Sequence, residues 1–585
     1  MTTLSHEEIL APLDAYYAAT PLEFSIGLQN FQSIREYTKI PLAPITLIYG
    51  QNSAGKSAIH DALIFIHEFL GDKTTHTLAF QSTTEICARY LNRWASHQRT
   101  GRVLSKGYIG QPDDVIISIN AWGKYLVPYL LDTYKGSGAL LYDMCADGVV
   151  PRFNLRFHFS KDKKDEWYTR EFHLIMGNDE FIRYVSNETP EGGFESSFCI
   201  NRKHLLFSVI GKLFGQELDK MAKECEFFNG ETIIEEDWLI LKDLWFVGNS
   251  LEWLYEYNLP KPRHLSEYEK YLEFDFNQAE AFRHLIEGLL RLVSDCASLF
   301  AKVDTVQPLR PVPQKNESYY RFSSNSSYDR NQTPWKNIAK EVRDREYGYL
   351  WDRLRPSQST LKTLGDDESR SGLLDYVNHV LQHPLFLDTG YEIIGECRFL
   401  LSASKIVEIQ HDENHNFSYF NQELDSEVAL KLRYKPDNFI IEIEDVGVGI
   451  SQIIPVLCAI NDANPSVYIH QPELHLHPKH QSHLGDIFIE RINNNSTKHD
   501  KYFFIETHSE HILLRILRRI RETNRSDIRH KLFGFTAEQL CVLYVDKDEN
   551  GDSKVIKLRV AENGEFIDRW PHGFFTERDE DLFDE

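Results

Sequence analysis

Eight consecutive residues carry the clearest chemistry in this chain. Gly50-Gln51-Asn52-Ser53-Ala54-Gly55-Lys56-Ser57 places two glycines, a cation and a hydroxyl at the spacing GxxxxGK[ST]. Glycines at 50 and 55 let backbone N–H groups wrap around an anion, with Asn52 and Ser53 between them. Lys56 brings a positive charge to phosphate oxygens, and the Ser57 hydroxyl is suited to ligate Mg²⁺ at a helix N-terminus. A bare match of this length can arise in any glycine-containing turn. Here the apolar run Ile45–Tyr49 precedes it and AIHDALIFIHEFL follows with helical spacing, so the strand, loop and helix that this chemistry needs are all present.

Three later clusters share the pattern of polar residues at the end of an apolar run. At 445–460, DVGVGISQIIPVLCAI offers Gly447 and Gly449 for close backbone approach, Ser451 as a cap of the following helix, and Gln452 beside it. By itself this is an ordinary capped turn. At 466–478, SVYIHQPELHLHP reads as a strand ending in His470, Gln471 and Glu473. At 501–516, KYFFIETHSEHILLRI repeats the design: a strand ends at Glu506 and passes through Thr507, His508 and Ser509 into a helix. His508 thereby falls at the carboxyl edge of a parallel sheet, where α/β folds bind ligands.

The elements that must position these groups lie at the two ends of the chain. Its 585 residues correspond to about three or four compact units at roughly 100–200 residues each. We expect an α/β fold, with one core made of a mixed sheet and flanking helices and split by a long α+β insertion. The expected parts are residues 1–75 with the phosphate loop, the inserted arm at 76–385, and residues 386–585 with the later motifs. Within the arm, PRFNLRFHF and WYTREFHLIM alternate like strands, 203–225 and 277–302 have helical periodicity, and 313–335 reads as a polar loop. β patterning returns at 391–445.

In order, these motifs resemble the ABC-type ATPases of the SMC/OLD group. They are most similar to bacterial ATPases that carry GxNSxGKS, DVGxGxSQ, QPExHLHP and ETHS in that sequence. The resemblance covers about 22–75 and 390–585. Pro308-Leu309-Arg310 is similar to a PLR element of the group, and Trp570–Phe575 to its WPxGFF ending. The resemblance implies that residues 50–57 bind ATP with Mg²⁺ and that Gly447, Gly449, Ser451 and Gln452 complete the γ-phosphate site of a second subunit. It also implies that His508 senses that phosphate, and that two domains sandwich ATP in a homodimer or larger even assembly. This sequence departs from the pattern where hydrolysis is decided. His470 stands where the group has a Mg²⁺-binding carboxylate, and Gln471 where many members have a water-orienting Glu. Glu473 is then the nearest carboxylate for catalysis, and slow turnover is expected.

Charge and composition narrow the partners. A net charge of −24 repels a phosphate backbone at long range, so a basic nucleic-acid-coating protein is excluded and any such contact needs a local patch. Arg515, Arg518, Arg519, Arg521, Arg525, Arg529 and Lys531 form a basic stretch that is either a solvated face or a contact for nucleic acid or an acidic segment. The eight scattered cysteines show no CxxC pair and fit a reducing cytoplasm. There is neither a basic leader before an apolar run nor an uncharged stretch long enough to span a bilayer. His470, His475, His477, His480 and His483 are close in sequence but lack a Cys or carboxylate set at zinc spacing, and they read as a loop or dimer face. Asp546 and Asp548 could suggest a metal-dependent nuclease. No Glu-Gly turn precedes them, and Asn550-Gly551 signals a hairpin instead. ERDEDLFDE at 577–585 reads as a solvating acidic tail.

Three functions follow as expectations. One is an ATP-gated sensor or regulator of a bacterial anti-phage defence system with a separate effector, an HNH-type nuclease. The second is a repair-like ATPase that clamps nucleic acid directly. The third is a nucleotide-bound scaffold without useful turnover.

Overall fold

The computed structural model describes residues 24–71, 90–91, 114–122, 152–164, 167–176, 179–190, 194–204, 232–234, 237–242, 303–310, 319–322, 335–343, 372–399, 426–461, 466–494, 501–525 and 533–571. The helical reading at 277–302 lies outside these residues, as do nearly all of the one at 203–225, Arg529, Lys531, residues 572–575 and the acidic tail. Most of the polar loop at 313–335 is also outside. Within it, however, the aromatic Tyr319–Phe322 is a strand, because its backbone pairs with residues 426–429.

The chain divides into two units. The first is Met1–Val303 with Lys498–Asp500 and Cys541–Arg559; the second is Asp304–Thr497 with Lys501–Leu540 and Val560–Glu585.

Numbered in chain order, the strands of the first unit are β1 (Ser25–Gln29), β2 (Thr38–Pro41), β3 (Ile45–Gly50), β4 (Asp114–Trp122), β5 (Arg152–Lys161), β6 (Trp167–Met176), β7 (Asp179–Glu188), β8 (Phe194–Asn201), β9 (Thr232–Ile234), β10 (Trp238–Lys242), β18 (Leu540–Lys547) and β19 (Ser553–Leu558). Nine of them form one sheet in the order β2-β1-β4-β5-β6-β7-β8-β10-β9. Both expected arm strands are present as β5 and β6. Their period-2 alternation buries Leu155, Phe157, Phe159, Phe172 and Leu174 on one face and turns the residues between them to the other.

The buried face receives helix α1 (Lys56–Gly71). Phe65 meets Phe159 edge-on at 5.5 Å between ring centres, and Phe69 meets Phe157 at 5.3 Å. Each fully buried Phe stabilises by about 1.5–3 kcal/mol and each such ring pair by about 0.5–1.5 kcal/mol more. That core fixes where α1 begins, and therefore where the loop before it sits. All six residues of β3 are buried, as expected of a continuous apolar strand inside a sheet. β18 lies beside it and pairs antiparallel with β19, with Val545 opposite Val555. The 548–552 turn between them carries Gly551 at φ 87°, which is the expected hairpin.

The second unit holds β11 (Val303–Val306), β12 (Tyr319–Phe322), β13 (Tyr391–Phe399), β14 (Ser426–Tyr434), β15 (Phe439–Ile441), β16 (Ser466–His470) and β17 (Tyr502–Glu506). Its helices are α2 (Leu373–Gln382), α3 (Val448–Asn461), α4 (Pro478–Asn493) and α5 (Glu510–Asn524). β13 and β14 pair antiparallel, with β12 and β15 both on β14. β16 and β17 are parallel, with β11 beside β16, so β16-α4-β17-α5 is a βαβα run whose strand ends point the same way. α4 starts at Pro478 with His477 as its cap, and α5 starts after Ser509, whose Oγ accepts the Ile512 N–H. The described architecture is α/β, with mixed sheets and flanking helices. Among the described residues no helix is long and apolar enough to cross a membrane.

Candidate functional site

The loop after β3 has the shape its residue types dictate. Gly50 has φ 144°, and a Cβ there would collide with the Val545 carbonyl oxygen on β18. Only glycine lets the strand pass that close. Gln51, Asn52, Ser53 and Ser57 are exposed, whereas Lys56 is 5% exposed and its Nζ donates to the carbonyls of Gly50 (2.8 Å) and Gln51 (3.0 Å). The charge is thereby held inside the loop, and the Ser57 hydroxyl stands on the first turn of α1. The hairpin braces the loop from behind: Ser553 Oγ reaches the Ala54 carbonyl (2.5 Å) and Ser33 Oγ (2.7 Å). The acidic pair of that hairpin is used locally. Asp548 Oδ1 accepts the N–H groups of Asn550 (2.9 Å) and Asp552 (2.8 Å), which makes it a turn residue.

The second unit gathers the later motifs at the carboxyl ends of β16 and β17. His470 and Glu506 are register partners, with His470 Nδ1 3.0 Å from Glu506 Oε2. The Gln471 N–H donates to the Glu506 carbonyl (2.7 Å), and Gln471 itself takes φ 44°. Glu473 is buried, and its Oε1 accepts the backbone N–H of His508 at 2.8 Å. Its Oε2 is buried without a hydrogen bond among the described residues. Burial pushes the Glu473 carboxyl above the usual carboxylate range, against the opposing pull of the His508 amide, its own amide, the Thr507 hydroxyl and the Arg310 guanidinium. His508 follows β17 at the sheet edge, as expected.

Arg310 ties this edge to Gln452 on α3. It is 5% exposed, and its Nη2 donates to the carbonyls of His470 (2.9 Å) and Gln471 (3.1 Å). Its backbone pairs both ways with the Gln452 amide: Gln452 Nε2 donates to Arg310 O (2.8 Å), and Arg310 N–H donates to Gln452 Oε1 (3.2 Å). Burial pulls the guanidinium down to about 10, with Glu473 opposing. The Gln452 amide is therefore spent on Arg310. Ser451 corrects an expectation: it lies inside α3, which begins at Val448, and donates to the Val448 carbonyl (3.0 Å) rather than capping the helix. Gly447 is exposed and open around its Cα, while a Cβ on Gly449 would sit 2.7 Å from the His475 carbonyl oxygen. The first turn of α3 thus presents an exposed, positively polarised helix end.

Two family models match where this chemistry lies: one described as an AAA domain over residues 25–77, and one described as an AAA ATPase domain over residues 386–513. Both segments are thus similar to AAA-type ATPase domains, which supports ATP binding as the class of activity. Solved structures with low TM-scores include a crystal structure of the SmcHead bound to the C-winged helix domain of ScpA, at TM-score 0.32 and 10% identity over 92% of this chain and 98% of that one. A second is the Smc head domain with an extended coiled coil bound to the C-terminal domain of ScpA from Pyrococcus furiosus, at 0.32 and 12% over 92% and 96%. A third is the SMC head domain from Thermotoga maritima, at 0.29 and 9% over 92% and 100%. Among curated proteins, no sequence matches this chain significantly.

The structure separates the remaining candidates. Arg519 grips the buried Asp486 of α4 through Nε (2.7 Å) and Nη2 (2.8 Å), and Arg515 Nη1 binds the same carboxylate at 3.1 Å. These two charges are therefore internal clamps between α4 and α5, while Arg518 is exposed and pairs with Glu522 at 2.7 Å. His475 and His477 are exposed, and His483 hydrogen-bonds the Phe386 carbonyl. Cys458 and Cys541 are buried and Cys199 and Cys397 half-buried. Glu506 is the residue that sequence reasoning passed over. Its signal was available: KYFFIE and SVYIH end in polar groups at matching positions, and two parallel strands that end together bring those groups side by side.

Proposed function

We propose that this chain is a slowly hydrolysing ABC-type ATPase that acts as the sensor or regulatory subunit of a bacterial anti-phage defence system, controlling a separate HNH-type nuclease. Its AAA-type segments support ATP as the ligand. Gly50, Asn52, Ser53 and Gly55 wrap the phosphates with backbone amides, Lys56 neutralises them, and Ser57 ligates Mg²⁺. The residues fit such a group, because Gln51, Asn52 and Ser53 are exposed along the loop and Ser57 is exposed on the helix end. When bound, Mg²⁺ supplies charge neutralisation at the phosphate oxygens.

The observation that carries the hydrolytic reading is the buried Oε2 of Glu473, which has no hydrogen bond among the described residues. A buried acceptor of this kind is costly unless a ligand or water serves it, and a raised carboxyl pKa favours accepting a proton. Glu473 holds the attacking water in this reading. His508 is its backbone partner and the phosphate sensor, and Gln471 adds an amide at the same strand end. Turnover is slow because His470 and Gln471 replace the usual acids. The exposed start of α3 at Gly447 and Val448 is suited to a phosphate presented by a second copy, which supports a homodimer or larger even assembly.

The test is ATP binding and hydrolysis by the purified chain with Mg²⁺. We expect Lys56→Ala to abolish binding and Glu473→Gln to bind ATP without turning it over. Full turnover in Glu473→Gln would overturn the assignment of that residue. Affinity capture of the tagged chain is expected to bring down a nuclease, and plasmid is expected to stay intact with the chain alone. Cleavage by the chain alone would overturn the separate-effector reading.

A further inference from the structure

Far along the chain from these motifs, the face of the nine-stranded sheet that turns away from α1 carries His158, Glu171 and His173. The strand period puts them there: Phe157 and Phe159 point inward on β5 and Phe172 and Leu174 inward on β6, so their neighbours point outward. His158 and Glu171 are opposite each other in the antiparallel register, and a bulge after His158 locally breaks the regular pairing. Each of the three is half-buried, and one ligand atom from each lies within 4.8 Å of the other two.

The cluster holds one buried nitrogen without a hydrogen bond among the described residues. His173 faces carboxylates through both ring nitrogens: Nδ1 hydrogen-bonds Glu180, and Nε2 lies 3.1 Å from Glu171 Oε2. An imidazolium donates to both carboxylates, whereas a neutral ring donates to one and turns a lone pair toward the other. His158 Nδ1 is 3.9 Å from the same Glu171 Oε2, and its Nε2 is buried with no hydrogen bond among the described residues. A metal cation among Glu171 Oε2, His173 Nε2 and His158 would take the place of the second His173 proton and engage the His158 ring.

We propose that His158, Glu171 and His173 form a binding site for a divalent first-row transition metal of zinc type, with the carboxylate of Glu180 orienting His173 from behind. Two imidazoles and one carboxylate are a donor set for such ions. Ligand atoms about 2.1 Å from one ion stand about 3.4 Å apart at a tetrahedral angle, so 4.8 Å is closed by small side-chain rotations. Glu180 is well placed for its part. Its carboxylate hydrogen-bonds both His173 Nδ1 and the Arg183 guanidinium, which fixes it behind the ring. Arg170 Nε lies 3.6 Å from Glu171 Oε1, leaving Oε2 for the ion, and the partial exposure of all three residues admits water as a fourth ligand. The ion would staple β5 to β6.

The test is titration of the chelator-treated full chain with Zn²⁺ alone, without nucleotide or Mg²⁺, read by equilibrium dialysis and by the shift in melting temperature. One tight equivalent per chain is expected. His173→Gln and Glu171→Gln should lose it, and Glu180→Gln should weaken it about 10- to 100-fold. His158→Phe is the decisive variant. It removes a buried unpaired nitrogen, so the metal-free protein should melt no lower than wild type while the zinc-induced shift disappears. The pair His477→Gln and His480→Gln should leave binding intact. No tight zinc in the wild-type chain, or a zinc shift that survives His158→Phe together with Glu171→Gln, would overturn the proposal.

Discussion

His470 Nδ1 lies 3.0 Å from Glu506 Oε2 where the parallel strands β16 and β17 end in register. The imidazole occupies the position at which a carboxylate was expected, and the neighbouring strand delivers a carboxylate to the same edge. If Glu506 supplies the missing acid, Glu506→Gln should lower Mg²⁺-dependent ATP turnover at least about tenfold, and adding His470→Asp should restore much of it. Steady-state hydrolysis across a Mg²⁺ series measures both. Unchanged Mg²⁺ dependence in Glu506→Gln would remove Glu506 from the mechanism.

Glu473 sets a pH limit. Its carboxyl is raised above 4.5 by burial, and the water-orienting role needs the ionised form. Turnover should therefore fall as pH drops through that raised value, at a pH above the ordinary glutamate range. The kcat profile of the wild-type chain should show this acid limb. An activity that stays flat down to the ordinary range would contradict the role. The sign for stability is opposite, because a buried acid with a raised pKa costs stability as pH rises and it ionises.

Arg310 should be structural first. Arg310→Ala leaves the carbonyls of His470 and Gln471 without their guanidinium donor, for a cost of about 2–4 kcal/mol. Chemical denaturation measures this. Because Arg310 holds the backbone of the strand end, Arg310→Lys should lower kcat more than it raises KM.

Asp486 is 1% exposed and holds two arginines. Asp486→Ala leaves Arg515 and Arg519 uncompensated and should destabilise by about 3–5 kcal/mol, whereas Arg518→Ala on the exposed side should cost under about 1 kcal/mol. Equilibrium urea unfolding separates the two.

Gly449→Ala should be poorly tolerated although its neighbour is not. A Cβ would meet the His475 carbonyl at 2.7 Å, whereas Gly447 has nothing within 4 Å. We expect a melting temperature several degrees lower for Gly449→Ala and near wild type for Gly447→Ala, read by thermal denaturation.

Much of the fold and site was legible in advance where one local period governs. The run before Gly50, the alternation of β5 and β6 and the Asn550-Gly551 turn all read correctly, because strand burial and turn chemistry act on neighbouring residues. Ser451 was misjudged as a cap, because a helix start depends on which backbone groups the preceding turn leaves unpaired, and here the helix begins three residues earlier. The basic stretch was misleading for a similar reason. Arg515 and Arg519 look like a surface stripe until Asp486, on another helix, is found beneath them.

The sequence by itself determined the order of glycine, lysine and serine in the loop after β3 and its place between a strand and a helix, since a contiguous backbone segment carries both. It also determined that the usual acids at 470 and 471 are absent. Only the tertiary structure decided that Glu506 faces His470, that Glu473 keeps a buried oxygen without a hydrogen bond among the described residues, and that Arg310 joins Gln452 to the strand end. Those relationships depend on strand register and burial, which set distances between residues far apart in the chain and leave no trace in local spacing.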